Sequence, residues 1–355
     1  MLADMNKQTL AHGLSVSAAA VGQYEAGIIT PRPDLLDTMA RLLGVPVTYF
    51  AAGRPNTRLD ASTAHFRSLR STRVGQRTRA IAFAEQLWEL AHALELRVEL
   101  PAVDLPDLED PSDGEISPEA AASRLRDHWG IGPGPVRHLV RTMESHGLLV
   151  TLLPFARTDE IARVDAFSTS RTPRPLVVLT PDRADDVYRH RFTAAHELGH
   201  LLLHTEARPG DIEQEKQADR FAAEFLTPAA EIDAELPGRL RVPLLEPIAR
   251  RWGVGVDSLV RRSRELGAIT EVTARRAYQR IQQLKNVGLL RPEPVTAYPG
   301  EVPTLLRSAF DLAEQHGLTV PDLADELAWK PELVRSRLGM ADSRPTLTLV
   351  QGDDQ

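Results

Sequence analysis

The segment 191–200 reads Arg-Phe-Thr-Ala-Ala-His-Glu-Leu-Gly-His and places His196 and His200 four residues apart. Residues at this spacing lie on one side of an α-helix, so the two imidazoles can bind one metal ion. Glu197 follows His196 directly and can face a water molecule on that ion. Apolar neighbours predict a buried helix, and Gly199 indicates that another element packs close to it. The alternative interpretation is a structural helix that happens to carry two histidines.

A glutamate between two histidines at this spacing is typical of zinc hydrolases, in which neutral imidazoles hold Zn²⁺ and the carboxylate is the general base. A catalytic zinc site needs three protein ligands and one open position for water. The chain has no cysteine, so any further ligand must be a histidine or a carboxylate. We therefore predict Zn²⁺ as the cofactor, His196 and His200 as metal ligands, and Glu197 as the catalytic residue.

Three residues downstream are candidates for the third ligand. His204 lies eight residues beyond His196, which is ~12 Å along a straight helix, so we expect it to cap or pack the helix. Glu215 and Asp219 are four apart, on a segment whose apolar stripe predicts a second helix. We predict Glu215 as the ligand because its longer side chain can reach across from a neighbouring helix. Asp219 then accepts the outer N–H of a ligand histidine, and it remains the alternative ligand.

These residues carry a family resemblance. The run Arg191-Phe-Thr-x-Ala-His-Glu-Leu-Gly-His-x-x-x-His204, followed by Glu215-x-x-Ala-Asp-x-Phe-Ala-Ala-x-Phe-Leu-x-Pro228, resembles the ImmA/IrrE family of zinc metallo-endopeptidases over about residues 116–265. Asp219 departs from the asparagine usual in the family. The resemblance implies that His196, His200 and Glu215 bind zinc and that Glu197 is the base. It also implies a protein substrate, often a helix-turn-helix repressor cleaved in a stress or mobile-element response.

The N-terminal segments 10–27 and 35–50 resemble the Xre/Cro-type helix-turn-helix domain, with the recognition helix at 17–24. Double-stranded DNA is therefore a candidate partner, and Ser17 and Gln23 are the side chains on that helix that could read bases. Residues 1–60 hold five basic and five acidic side chains, so attraction to phosphate is weak. The family's first helix would precede Gln8, so we expect it to be incomplete.

A basic segment follows at 65–80, with five arginines and no acidic residue. It could add phosphate contacts through Arg67, Arg70 and Arg73, or it could be a solvated start of a helix.

A second pair of helices at 245–266 is turn-linked and arginine-rich. We predict that this pair supports the peptidase domain, with DNA contact as the alternative; its arginines are Arg250, Arg251, Arg261, Arg262 and Arg264.

Three strands are expected, at 148–153, 164–168 and 176–180. The third immediately precedes the histidine helix, where zincin-like hydrolases pair an extended substrate through backbone hydrogen bonds. Arg191, His190 or His204 could stabilise the oxyanion that develops on the scissile carbonyl during peptide hydrolysis. The sequence does not favour any one of the three.

We predict a predominantly α-helical α+β protein: an N-terminal helix-turn-helix bundle, a zincin-like metallopeptidase domain with a small β-sheet, and a helical C-terminal module. The expected parts are 1–55, the Xre-type domain with its incomplete first helix; 56–115, a helical segment and acidic, proline-rich linker; 116–285, the ImmA/IrrE-like zinc peptidase domain with helical support; and 286–355, the C-terminal helices.

The predicted function is zinc-dependent cleavage of a regulatory protein. The rival is a DNA-binding transcriptional regulator, without enzymatic activity, that carries a structural or sensing zinc site with four ligands.

The sequence shows no apolar N-terminal run typical of a signal peptide and no stretch of about 18 apolar residues. We therefore expect a cytoplasmic protein without a membrane partner. For the acidic turn-linked helices at 320–328 and 331–338 we expect a role in protein contact or substrate gating.

Overall fold

The structure is a computed structural model that describes residues 5–51, 65–66, 74–108, 116–152, 166–170, 172–180, 185–204 and 211–340. Helices dominate these ranges and a single sheet accompanies them, which confirms the predicted fold class. The chain divides into two compact units, and each is described by itself. One comprises Met1–Asn56, Gln86–Glu99 and Leu306–Gln355, and the other comprises Thr57–Glu85 and Leu100–Leu305. Within the described ranges, no helix is long and apolar enough to cross a membrane.

The first unit begins with three short helices, α1 (Lys7–Leu14), α2 (Ala18–Glu25) and α3 (Pro33–Leu43). Polar side chains start the first two: Asn6 accepts a hydrogen bond from the backbone N–H of Thr9, and Ser17 accepts one from that of Ala20. Helix α2 lies at the position predicted for the recognition helix, 17–24. They enclose a small apolar core of Leu10, Ala11, Leu14, Val21 and Met39.

The remaining helices of the first unit come from later in the chain. They are the second half of α4 (Val74–Glu95), followed by α13 (Leu305–Gln315), α14 (Val320–Leu327) and α15 (Pro331–Arg337). Two long-range polar contacts join them: Arg97 pairs with Glu326, and Arg337 donates to Gln86. Segments distant in the sequence therefore form one unit.

The second unit contains the sheet and the larger core. Its strands are β1 (His65–Phe66), β2 (Leu149–Leu152), β3 (Ala166–Thr169) and β4 (Leu176–Leu179). The spatial order is β1-β3-β4-β2; β2 runs parallel to β4, while β3 is antiparallel to both β4 and β1. Strand β4 lies between two partners, so its backbone hydrogen-bonding groups are used within the sheet. The prediction that this strand pairs with an extended substrate is therefore wrong.

The second unit also contains a series of helices, of which Leu139–Ser145 and Val187–Leu203 contact the sheet. They are α5 (Pro118–His128), α6 (Leu139–Ser145), α7 (Val187–Leu203), α8 (Ile212–Leu226), α9 (Ala229–Ile232), α10 (Val242–Trp252), α11 (Val256–Glu265) and α12 (Glu271–Asn286). Helix α6 begins at Leu139. The carboxylate of Glu301 accepts the backbone N–H groups of Leu139 and Val140, at 3.0 and 3.3 Å, and so fixes the start of this helix from a distant point in the sequence.

Candidate metal centre

Helices α7 and α8 form the site by packing side by side. Each starts at an aspartate whose side chain accepts backbone N–H groups of the first turn: Asp186 for α7 and Asp211 for α8. Gly199 allows the close approach, because a Cβ atom there would lie 2.9 Å from the ring of Phe221 on α8. A larger residue at position 199 would push the two helices apart.

Three side chains converge between these helices. The Nε2 atoms of His196 and His200 lie 3.1 Å apart. Glu215 approaches both, with its carboxylate oxygens 3.4 Å from Nε2 of His196 and 3.5 Å from Nε2 of His200. In a tetrahedral zinc site, neighbouring ligand atoms lie about 3.3 Å from one another. The donor set and its dimensions therefore fit a zinc ion.

The burial of the three side chains and the charge of Glu215 also favour the binding of a cation. Both histidines are 1% exposed, whereas the side chain of Glu215 remains 31% exposed. Desolvation alone would raise the pKa of Glu215, but hydrogen bonds from His196 and His200 and their charge outweigh it and lower the pKa to about 2. The carboxylate is thus an ionised oxygen donor at neutral pH.

The outer nitrogen of His196 is held by Asp219. The Nδ1 atom of His196 lies 2.8 Å from Oδ1 of Asp219, and the other carboxylate oxygen accepts from Arg261 at 3.1 Å. Arg261 also donates to Glu265 at 2.8 Å. The carboxylate of Asp219 is therefore directed at the imidazole, while Glu215 faces the shared point. Arg261 lies 42 residues further along the chain, and no local sequence pattern points to it.

The outer nitrogen of His200 is held by a different group. Its Nδ1 atom lies 3.0 Å from Nδ1 of His204, whose Nε2 atom lies 2.8 Å from Oε1 of Gln217. If Nε2 of His200 binds a metal, Nδ1–H of His200 donates to His204, and His204 in turn donates to the glutamine. Burial lowers the pKa of His204, which favours this neutral ring. His204 also ends α7 as predicted, through its backbone N–H to the carbonyl of His200.

Glu197 follows His196 on α7 and lies within the fold. It is fully buried, and Oε2 accepts a hydrogen bond of 2.7 Å from the hydroxyl of Ser168. Ser168 belongs to β3, so the sheet holds the carboxylate from one side. The sequence analysis missed this serine, because strand periodicity does not reveal which strand residue faces a particular helix.

Two residues considered for the oxyanion have other partners. The guanidinium of Arg191 pairs with the buried carboxylate of Glu301 and donates to the carbonyls of Gly253, at 2.8 Å, and Val136, at 2.5 Å. The Nε2 atom of His190 contacts the carbonyl of Glu301 at 3.0 Å. Both side chains therefore brace α7 against the surrounding fold, and the oxyanion role considered for them is wrong.

Gly253 shows how tightly Arg191 is enclosed. Its φ of +65° is in the left-handed region that favours glycine, and a Cβ atom there would lie 2.7 Å from the arginine Nε. The turn between α10 and α11 is thus in direct contact with the side chain of Arg191 on α7.

The arginines of α10 and α11 are engaged in ion pairs. Arg250 lies 4.0 Å from Glu293, Arg251 lies 3.2 Å from Glu235, and Arg264 lies 3.2 Å from Glu271. Buried Arg262 pairs with Glu224 of α8. These contacts favour the supporting role over DNA contact.

The candidate DNA-contact residues fall in two groups. Ser17 caps α2 with its side-chain oxygen, and Gln23 is exposed on the same helix. Arg67, Arg70 and Arg73 lie outside the described residues.

Comparison with known families agrees with this geometry. Residues 143–264 match the Peptidase_M78 family model, described as the IrrE N-terminal-like domain, and residues 2–50 match a helix-turn-helix family model. A search of curated proteins found no match. The resemblance predicted from the sequence motifs is thereby confirmed by a match to the IrrE N-terminal-like domain model and a match to a helix-turn-helix model.

Proposed function

We propose that the chain is a zinc-dependent endopeptidase that cleaves a regulatory protein. The observation that carries this proposal is the convergence of His196, His200 and Glu215 on one point, with the buried Glu197 following His196 on the same helix. Two imidazoles and one carboxylate form the ligand set of a catalytic zinc site, which leaves a position for water. The match to the Peptidase_M78 model over residues 143–264 supports the same activity.

Each side chain has a defined task in this mechanism. His196, His200 and Glu215 hold the ion, which when bound acts as a Lewis acid on the scissile carbonyl and lowers the pKa of water. Asp219 and His204 fix the two imidazoles with Nε2 directed inward. Glu197 accepts the proton of the attacking water and passes it to the leaving amine. Ser168 orients Glu197 by donating to Oε2.

The substrate class follows from the family resemblance and the domain combination. We infer that the substrate is a protein, namely a helix-turn-helix repressor cleaved in a stress or mobile-element response. The N-terminal helix-turn-helix domain gives the chain a candidate surface for double-stranded DNA. Both partners are consistent with action in the cytoplasm.

The rival function is a regulator with a structural zinc site. Such a site closes with four protein ligands, whereas the cluster found among the described side chains contains three. The three-ligand arrangement favours the enzyme.

A substrate trap tests the proposal. Full-length Glu197→Gln protein retains the metal ligands, so we expect it to hold its protein partner without cleaving it. The partner is recovered by affinity purification and identified by mass spectrometry. It is then incubated with zinc-loaded wild-type protein, with Glu197→Gln and with Glu215→Ala.

The expected result is cleavage by the wild-type protein alone. Cleavage of the same partner by the Glu197→Gln protein at the wild-type rate would contradict the assignment of the base. A partner that stays intact with all three proteins would favour the regulator.

A further inference from the structure

Arg261 on α11 is connected to the metal centre through one intervening side chain. Its Nη1 atom donates a hydrogen bond of 3.1 Å to Oδ2 of Asp219, whose Oδ1 atom lies 2.8 Å from Nδ1 of His196. Its Nε atom donates a second hydrogen bond, of 2.8 Å, to Oε1 of Glu265. A continuous series of polar contacts therefore runs from α11 through α8 to a proposed ligand on α7.

The two hydrogen bonds fix the plane of the guanidinium group. The donors of an arginine side chain form a rigid, planar fork, so a contact at Nε restricts where Nη1 can point. Glu265 supplies that contact from the next turn of the same helix. Arg261 in turn holds the one oxygen of Asp219 that does not contact His196. The carboxylate is therefore held at both oxygens.

A different residue joins α11 to α8 structurally. The buried side chain of Arg262 pairs with Glu224 and donates a hydrogen bond of 3.1 Å to the carbonyl of Thr227. The side chains of Arg261 and Asp219 are instead 34% and 28% exposed. Ion pairs with this much exposure contribute little to folding stability. The main consequence of the contact between Arg261 and Asp219 is therefore the direction of the carboxylate.

We propose that Arg261 is a positioning residue for the metal centre. It holds Asp219 so that Oδ1 faces Nδ1 of His196, and this contact keeps Nε2 of the ring directed at the metal position. The inference rests on the proposed zinc centre and is independent of whether the chain cleaves a protein. Helix α11 thereby supports the metal centre although none of the proposed ligands lies on it.

The positive charge of Arg261 has an opposing effect. It repels a metal cation and reduces the negative charge that Asp219 presents to His196. Glu265 offsets part of this charge at 2.8 Å, and the exposed third of the arginine side chain allows water and salt to screen it. We therefore expect the positioning effect to exceed the charge effect, so that removal of Arg261 weakens zinc binding.

The test measures zinc affinity in full-length proteins by competition with a chromophoric chelator. The buffer contains 1 M KCl, in which the screening length is about 3 Å, so long-range charge effects are suppressed. Arg261→Gln, Asp219→Asn and the double variant are compared with wild type. Arg264→Gln is the matched control, because it makes the same substitution on the same helix, where Arg264 pairs with Glu271 at 3.2 Å.

We expect zinc binding to be about threefold to tenfold weaker in Arg261→Gln, which is less than the ~10–100-fold expected for a group that contacts a ligand directly. Arg264→Gln should stay within about twofold of wild type. The visible absorption of bound Co²⁺, which depends on coordination geometry, should change in Arg261→Gln and match wild type in Arg264→Gln. Wild-type affinity in Arg261→Gln, or an unchanged cobalt spectrum, overturns the proposal.

The double variant shows whether Arg261 acts through Asp219. If it does, Asp219→Asn should weaken zinc binding less in the Arg261→Gln background than in wild type, because the carboxylate is already misdirected there. An equal loss in both backgrounds means that Arg261 acts elsewhere, and a larger loss means that it mainly withdraws charge; either result contradicts the proposal.

Wild-type protein provides the separation from the proposed function. If wild type binds zinc and Arg261→Gln binds it equally well, this inference alone is removed. If wild type binds no zinc, the proposed metal centre and this inference are both removed.

Discussion

Replacing Asp219 by asparagine tests how the metal centre is supported. In the structure, one oxygen of Asp219 accepts from His196 at 2.8 Å and the other accepts from Arg261 at 3.1 Å. Asparagine keeps one acceptor for the imidazole but loses the negative charge, and its amide NH₂ cannot accept from Arg261. Arg261 retains its bond to Glu265, so the substitution leaves no charge without a partner. The loss of the negative charge should therefore mainly affect the orientation and basicity of His196.

The expected magnitude is a ~10–100-fold weaker zinc affinity, which corresponds to about 1.4–2.7 kcal/mol. The assay is competition for zinc against a chromophoric chelator at fixed pH. Glu265→Gln is the matched control, because it also removes the negative charge from a partner of Arg261 without contacting His196, and its affinity should stay within about twofold of wild type.

Unchanged affinity in Asp219→Asn would refute the supporting role. Loss of all zinc in Asp219→Asn, together with retention in Glu215→Gln, would show that the two carboxylates have exchanged roles.

Three further predictions follow from the structure. Burial lowers the pKa of His190 to about 4, whereas the unfolded ring titrates near 6.5, so the unfolded state binds more protons between these values. Stability should fall by about 3 kcal/mol as pH drops through this window, and denaturant unfolding of His190→Gln should lack that component. Gln217→Leu removes the acceptor for His204 and should weaken zinc binding ~10-fold, whereas unaltered affinity in the chelator assay would contradict the relay. In gel shifts at physiological salt, DNA binding should be weaker than roughly micromolar, because the recognition helix offers little beyond Ser17 and Gln23; nanomolar, sequence-dependent binding would contradict this.

Much of the candidate site could be predicted because its information is local. Two histidines four apart, and two carboxylates four apart on the next helix, define faces that a helix must present together. The structure brings His196, His200 and Glu215 to one point and directs Asp219 at His196. Their roles as ligands and support remain predictions. The position of α2 was also predictable, because its cap, Ser17, is encoded next to the helix that it starts.

The remaining features depend on contacts between distant segments. Glu301 sets the start of α6 and binds Arg191, and nothing near residue 139 or residue 191 encodes this carboxylate. Ser168 reaches Glu197 only because β3 and α7 pack together. The order of the strands is likewise a tertiary property, so the sequence could not show that β4 would be enclosed while β3 lies towards the edge.

The zinc content of purified full-length variants tests the central claim most directly. Glu197→Gln and Glu215→Ala are compared with wild type by inductively coupled plasma mass spectrometry after zinc loading and dialysis. Glu213→Ala, an exposed acidic position in the first turn of the same helix, is the matched control. We predict about one zinc per chain in wild type, Glu197→Gln and Glu213→Ala, and loss of zinc in Glu215→Ala. Full zinc occupancy in Glu215→Ala, or loss of zinc in Glu197→Gln, would contradict the proposed division between ligand and general base.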